Sequence, residues 1–314
     1  MKCATTMMAV SWMLAVGCSG GSEPCSDGFV KGDDGQCESV EDTGGDTAVV
    51  LPGGWCPVGG GYSGQTVGEV DCQGGICEVP SGSFWMGSED GQPDECPPRE
   101  VELSGFAIDA KEVTRAALGS CVDAGVCTPV PTYCDNLFLN HPADVGQLPA
   151  VCVTWQQAVD YCEWAGGRLP TEAEWEKAAR GEDGATWAWG AAPPNCGDAN
   201  FRFVSWYCEE SVVEVGTYTD RTSPYGLWDT VGNAWEWTSD WYDAERYEGM
   251  EAVDPPGPEE CRAVVGGASG ECTNKVIRGG AFNTTEDTTR GAARSFAAPT
   301  VVDHNLAFRC AYDR

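Results

Sequence analysis

The chain has 314 residues, enough for one large domain or two modest ones, and 18 Lys+Arg against 49 Asp+Glu set a net charge of −31 that repels nucleic-acid backbones and anionic lipid headgroups. A composition of 42% hydrophobic and 21% charged residues with 13 Trp excludes a disordered acidic chain, while 41 Gly and 19 Pro point to a turn-rich fold. Eighteen Cys imply an oxidising compartment, because cytosolic thiols stay reduced.

In chain order, Lys2 precedes an apolar run from Met7 to Gly17 that suits a cleaved export leader and is too short to span a bilayer. The run ends in Leu14-Ala15-Val16-Gly17-Cys18, which resembles a bacterial lipobox. Residues 1–17 are expected to be removed and Cys18 lipidated, giving an exported lipoprotein of the periplasm or outer membrane held only by its acyl chains. An ordinary signal peptide cut nearby is the alternative, but losing Cys3 and acylating Cys18 leaves an even set of cysteines that can pair completely. Residues 18–54 are rich in Gly, Asp, Glu, Ser and Thr and poor in aliphatics, as expected of a tether, with Cys25 and Cys37 able to close a small loop. From Trp55 onward aromatics recur without a second linker, so 55–314 reads as one domain.

Within it Thr114 to Asp123 predicts a weak helix. Thr154 with Gln157 forms a capping box before Trp155, Ala158, Val159, Cys162 and Ala165, which share a face, and Gly166-Gly167 ends that helix. Thr171 with Glu174 starts another, with Trp175, Ala178 and Ala179 on one face and Lys177 and Arg180 placed to suit the helix dipole before Gly181. Short β-like segments are expected at Ser83–Met86, Val101–Ile108, Trp235–Thr238, Val276–Arg278 and Ala307–Ala311. Close spacing makes Cys72–Cys77, Cys121–Cys127, Cys196–Cys208 and Cys261–Cys272 plausible pairs, leaving Cys56, Cys96, Cys134 and Cys152 to pair among themselves.

Several segments, in order from about residue 78 to the C-terminus, resemble the formylglycine-generating enzyme, or sulfatase-modifying factor, family. They include Gly82-Ser83-Phe84-Trp85-Met86-Gly87, Glu112-Val113-Thr114, Arg168-Leu169-Pro170-Thr171-Glu172-Ala173-Glu174-Trp175-Glu176, Val231-Gly232-Asn233-Ala234-Trp235-Glu236-Trp237, Arg278-Gly279-Gly280 and Phe308-Arg309-Cys310-Ala311. The resemblance implies an α+β domain with the formylglycine-generating-enzyme fold, related to C-type lectins, disulfide-rich and low in regular secondary structure. It implies a Cys162–Cys310 disulfide and places the family's second pair on Ala179 and Gly291, where neither cysteine is present.

The family's enzymes bind Cu(I) through two cysteines spaced C-x-x-x-x-C after the R/K-G-G segment, a task soft thiolates suit and hydroxyls do not. Counted from Arg278-Gly279-Gly280, those positions fall on Thr284 and Thr289, so no catalytic residue is assigned and copper is not expected. A slipped alignment would hand the role to Cys272 or Cys310. His141 and His304 are too few for the three-histidine iron site of a related branch. Family members bind calcium at positions matching Asp229, Gly232, Ala234 and Glu236, the middle two through carbonyls, and Asp229 and Glu236 flank a Gly-containing bend that suits a hard cation. The alternative is a buried strand with Glu236 in an ion pair. A second family site would begin at Asn200-Phe201, without a recognisable acidic partner segment.

Two readings follow. One is an envelope binding or structural module that takes a peptide, protein or glycan in a groove lined by Trp235, the loop from Asn283 to Thr289, Arg294 and Phe296. The other is an active oxidase of the family. The missing cysteine pair favours the first.

Overall fold

The computed structural model describes residues 29–31, 37–39, 72–137, 144–261 and 271–314. The chain divides into a unit at Met1–Ala48 and a unit at Val49–Arg314. In the first, β1 (Phe29–Lys31) pairs antiparallel with β2 (Cys37–Ser39), Phe29 opposite Ser39. The expected Cys25–Cys37 bridge, the leader, Cys18 and His141 lie outside the described residues.

The second unit opens with β3 (Cys72–Gln73), β4 (Ile76–Val79) and β5 (Gly82–Met86), followed by β6 (Arg99–Leu103) and β7 (Phe106–Asp109). The single strand expected over Val101–Ile108 is therefore two. Gly105 packs against Ser81 N and permits the break, so β6 pairs with β5 while β7 joins β4. The helices are α1 (Arg115–Asp123), α2 (Thr132–Leu137), α3 (Trp155–Trp164) and α4 (Glu172–Arg180). The remaining strands are β8 (Trp235–Trp241), β9 (Lys275–Arg278), β10 (Ser295–Ala297), β11 (Leu306–Ala307) and β12 (Ala311–Asp313). The Ala307–Ala311 expectation divides between β11, which lies parallel to β8, and β12, which runs antiparallel to β7. One four-stranded sheet has the order β10-β9-β8-β11 and the other β12-β7-β4-β3.

Both capping boxes form. Thr154 caps α3 with Gln157, and Thr171 caps α4 with Glu174, each satisfying amides that the first helical turn leaves unpaired. On α3 the buried residues are Ala158, Tyr161 and Cys162, and Ala165 stands exposed at the cap, where Gly167 N bonds back to Cys162 O and ends the helix.

α4 departs from the amphipathic expectation because all nine of its residues are buried. Its charges are accommodated by internal partners. Lys177 Nζ donates to Pro80 O at 2.9 Å and Gly82 O at 2.7 Å, anchoring the start of β5. Arg180 donates to Gly87 O at 2.8 Å, to Ala185 O at 2.8 Å and to Glu176. Glu176 also takes Gly87 N at 2.7 Å and the buried guanidinium of Arg278. These cations serve as struts rather than as partners of the helix dipole, since burial without such bonds would cost several kcal/mol each. The position of the family's absent second disulfide is filled in the same way: a Cβ on Gly291 would lie 2.2 Å from Arg180 Cγ.

The expected local disulfides Cys72–Cys77, Cys121–Cys127, Cys196–Cys208 and Cys261–Cys272 form, and Cys134 pairs with Cys152. Cys162–Cys310 ties α3 to the segment before β12.

Asp240 on β8 accepts from Glu172 N at 2.8 Å at the start of α4, and burial, followed by the negative charge of Glu172, pushes its carboxyl up to about 6. The native state then holds this proton between about pH 4 and 6 while the unfolded chain has released it, so stability falls as pH rises through that window. Asp240→Asn keeps an acceptor for Glu172 N and removes the titration. The stability of wild type relative to this variant should therefore drop by about 2–3 kcal/mol between pH 4 and 7, as read by urea denaturation at each pH.

Candidate functional site

The segment from Asp229 to Glu236 crosses the interior between α4 and the C-terminal strands through an unusual backbone. Asp229, Gly232 and Asn233 all have positive φ, at 59°, 80° and 64°. Gly232 lies so close to Asn200 that a Cβ would sit 2.2 Å from Asn200 O, which restricts the position to glycine. The two segments bridge there, with Asn233 N donating to Asn200 O at 2.8 Å. Asn is among the few side chains that tolerate this left-handed region, and its amide is fully used. Asn233 Nδ2 donates to Glu112 Oε2 at 2.8 Å, and its Oδ1 accepts from Val213 N at 2.9 Å.

Glu236 is fully buried in an ion pair. Its Oε2 accepts from Arg309 Nε at 2.6 Å and from Trp175 Nε1 at 2.8 Å, and its Oε1 accepts from Arg309 Nη2 at 2.6 Å. Arg309 further donates to Trp228 O at 2.8 Å and Asp109 O at 3.1 Å. The ion-pair alternative for Glu236 is thus realised, and any cation at the bend would share this carboxylate with Arg309.

Two further carboxylates meet the same region without enough positive charge. Asp229 Oδ2 accepts from Gly216 N at 2.5 Å, but its Oδ1 is buried without a hydrogen-bond partner, as are Glu112 Oε1 and Asn200 Oδ1. Burial raises both acids. Glu112 is driven well above the usual carboxylate range, next by the charge of Asp229, while Asp229 is raised against the opposing pull of the Gly216 amide and Arg309. Bare buried oxygens of this kind are costly unless a cation or water meets them. The bare Asp229 oxygen is the kind of donor a hard cation would take, and the unpaired Asn200 Oδ1 belongs to the segment bridged to Gly232 in the same bend. Among the described residues no three His, Cys, Asp or Glu side chains are grouped to hold a metal, so such a cation would depend on backbone carbonyls for the rest of its shell. Phe201 and Ala234 are both fully buried, in separate parts of the core.

Thr284 and Thr289 lie at the two ends of the turn following Gly280. The Thr284 hydroxyl accepts from Ala281 N at 2.9 Å and hydrogen-bonds Thr288 Oγ1 at 2.8 Å. The buried Thr289 hydroxyl donates to Glu286 O at 2.7 Å and accepts from Trp187 Nε1 at 3.3 Å. Both hydroxyls close the turn, and among the described residues neither hydrogen-bonds a carboxylate or an imidazole. Cys272 and Cys310, the residues a slipped alignment would recruit, are bonded to Cys261 and Cys162, and every cysteine in the described part of the second unit is disulfide-bonded. His304 Nδ1 lies 2.8 Å from Asp303 Oδ1 at the surface.

Of the groove residues, Trp235 is buried in the main core, and Asn283 Oδ1 accepts from Asn305 Nδ2 at 2.9 Å. Arg294 is buried and held by Glu172 at 2.7 and 3.0 Å and by Asp94 O at 2.8 Å, its guanidinium over the rings of Tyr247 and Tyr242. Phe296 is half-buried against Tyr242, with ring centroids 4.6 Å apart. Trp235 and Arg294 are spent on the framework. Glu112, Asn233 and Arg309 carry weak signals in the sequence: Asn233 and Arg309 are single polar residues in apolar strings, while Glu112 follows Lys111 and looks solvent-facing.

The sulfatase-modifying factor enzyme 1-like domain family matches residues 67–314. A formylglycine-generating enzyme of Streptomyces coelicolor is 39% identical over 293 residues, covering 76% of this chain and 89% of that protein. The serine/threonine-protein kinase pkn1 of Chlamydia pneumoniae is 33% identical over 247 residues, which cover 74% of this chain and 37% of the kinase. Among solved structures, PvdO from Pseudomonas aeruginosa superposes with a TM-score of 0.58 at 25% identity, over 76% of this chain and 94% of PvdO.

Proposed function

The chain belongs to the formylglycine-generating enzyme (sulfatase-modifying factor) family, and from that premise we propose that it is a member without the family's copper chemistry, acting as a binding or structural module of the cell envelope. The observation that carries this reading is the turn after Gly280, where Thr284 and Thr289 offer only hydroxyls already engaged in hydrogen bonds. Thiolates would supply soft Cu(I) ligands and a sulfur able to form a mixed disulfide with a substrate cysteine; threonines supply neither. The module reaches the envelope through its N-terminal leader and is held there by lipid on Cys18.

The identity to the Streptomyces coelicolor enzyme favours the second reading, an active oxidase, and one assay separates the two. The purified protein is incubated with a Cys-x-Pro-x-Arg peptide, copper and oxygen, and the peptide is examined by mass spectrometry. No aldehyde above a no-enzyme control is expected, and turnover would overturn the proposal.

Calcium suits the oxygen donors of the bend. Asp229, Gly232, Ala234 and Glu236 would hold it, with Asn200 and Phe201 at the neighbouring family position. The ion would supply positive charge to an acid-rich interior and fix the left-handed bend. Calcium found by metal analysis, with a melting temperature lowered by chelation and restored by added calcium, is the expected result. A melting temperature indifferent to both treatments would remove calcium from this account.

A further inference from the structure

Between Cys196 and Cys208, whose disulfide closes its base, the chain forms a short hairpin that presents aromatic rings to solvent. Arg202 bridges antiparallel to Tyr207, and Phe203 N donates to Trp206 O at 2.8 Å. Phe203 and Trp206 stack with centroids 4.3 Å apart and planes 17° from parallel, and Phe203 rests in turn on the buried Phe201 at 4.8 Å. The outer side stays uncovered: Val204 is 90% exposed, Trp206 52% and Tyr207 43%. A solvent-facing aromatic platform fixed by a stack, a disulfide and a hydrogen-bonded turn is built to be covered by a partner.

The hairpin is docked on the turn that carries Thr284 and Thr289. Arg202 N donates to Thr284 O at 2.8 Å, and Arg202 bridges in parallel to Thr285. This brings exposed Glu286 and Asp287 to one flank, while Glu209 and Glu210 follow the hairpin directly and are also exposed. Among the described residues, the carboxylates of Glu209, Glu210 and Glu286 enter no ion pair. Of the nearby cations, Arg202 is half-buried and turned onto Tyr207 at 5.9 Å, and Arg290, close to Asp287, is paired with the buried Glu95. Exposed indole and phenol faces attract cations, and carboxylates beside them add charge complementarity in a molecule whose net charge is already −31.

We propose that the 202–207 hairpin, flanked by Glu209, Glu210, Glu286 and Asp287, is a docking site for an extended Arg- or Lys-bearing segment of a partner protein. Cationic side chains lie on Trp206 and Tyr207 and reach the flanking carboxylates. The segment needs no cysteine, since capture is by charge and stacking alone. The inference rests on the binding-module reading and specifies its partner class.

The test titrates the whole protein with a short peptide of alternating Gly and Arg, and with its Gly-Glu counterpart, followed by calorimetry and tryptophan fluorescence at low and high salt. The Arg peptide binds and the Glu peptide does not, with affinity falling as salt rises. Trp206→Ala weakens binding about tenfold or more, and Trp206→Phe retains most of it. Glu286→Gln with Asp287→Asn weakens binding and flattens the salt dependence. Glu259→Gln with Glu260→Gln, exposed acids of another cleft, changes neither. Equal losses from the two acidic pairs would mean diffuse attraction to a negative protein and would overturn the proposal. So would an unaffected Trp206→Ala, or a Trp206-dependent response to phosphatidylcholine vesicles without one to the peptide. Formylglycine turnover, by contrast, would defeat the module reading while leaving the peptide titration interpretable.

Discussion

Arg309→Ala is expected to destabilise the protein by about 3–5 kcal/mol, because it leaves the fully buried Glu236 carboxylate without its countercharge. Part of the loss also comes from Trp228 O and Asp109 O, which surrender charged donors. Glu236→Gln should cost less, since Gln still accepts from Trp175 Nε1, and the double variant Glu236→Gln with Arg309→Ala should fall well short of the sum of the single losses. Urea denaturation of the four proteins measures the cycle. Additive losses would mean that the two side chains act independently, contrary to the geometry.

Replacing Cys162 and Cys310 together by Ala is the other large effect expected. The bond closes a separation of 148 residues, and the chain-entropy account assigns a loop of ~100 residues close to 5 kcal/mol. The 196–208 and 261–272 bonds lie inside that loop but shorten its free length only slightly, and the dependence on length is logarithmic, so about 4–5 kcal/mol is the expected loss. The same replacement at Cys121 and Cys127, separated by 6 residues, should cost about 2 kcal/mol. Denaturation midpoints of the oxidised proteins check the order, and a larger loss at the shorter loop would contradict the entropic origin.

Local chemistry was the legible part of this fold. A threonine followed three residues later by Gln or Glu marks a helix start from within four residues, and both such boxes formed at Thr154 and Thr171. Close cysteine pairs were legible for the same reason, because a short loop keeps their encounter cheap. What failed to show depended on partners distant in sequence. α4 carries Glu172, Glu174, Glu176, Lys177 and Arg180, so its composition reads as solvent-facing, and only the remote oxygens of Pro80, Gly82 and Gly87 make its burial tolerable. The break in Val101–Ile108 followed from two strands taking different neighbours, which alternation cannot reveal. At the candidate site, the Gly-containing bend was readable from Asp229 to Glu236, but the charge repulsion between Glu112 and Asp229, the Asn233–Glu112 hydrogen bond and the Glu236–Arg309 pair join segments far apart in the chain. Trp235 and Arg294 carry side chains common in binding grooves, yet the core and Glu172 claim them.

The burial of α4 also bears on how activities spread through related proteins. The stretch from Arg168 to Arg180 is the most recognisable signature in the chain, and within it every residue from Glu172 to Arg180 is buried, the cations Lys177 and Arg180 bound to backbone oxygens. Changes within such a stretch threaten the fold itself, whereas Glu286 and Asp287 of the turn and Val204 and Trp206 of the 202–207 hairpin are exposed and can change without disturbing it. A shared signature of this kind traces descent of a frame and says nothing about the reaction performed on it. For relatives of this chain, activity is better assigned from the few residues of the turn after the Gly-Gly pair than from the overall match.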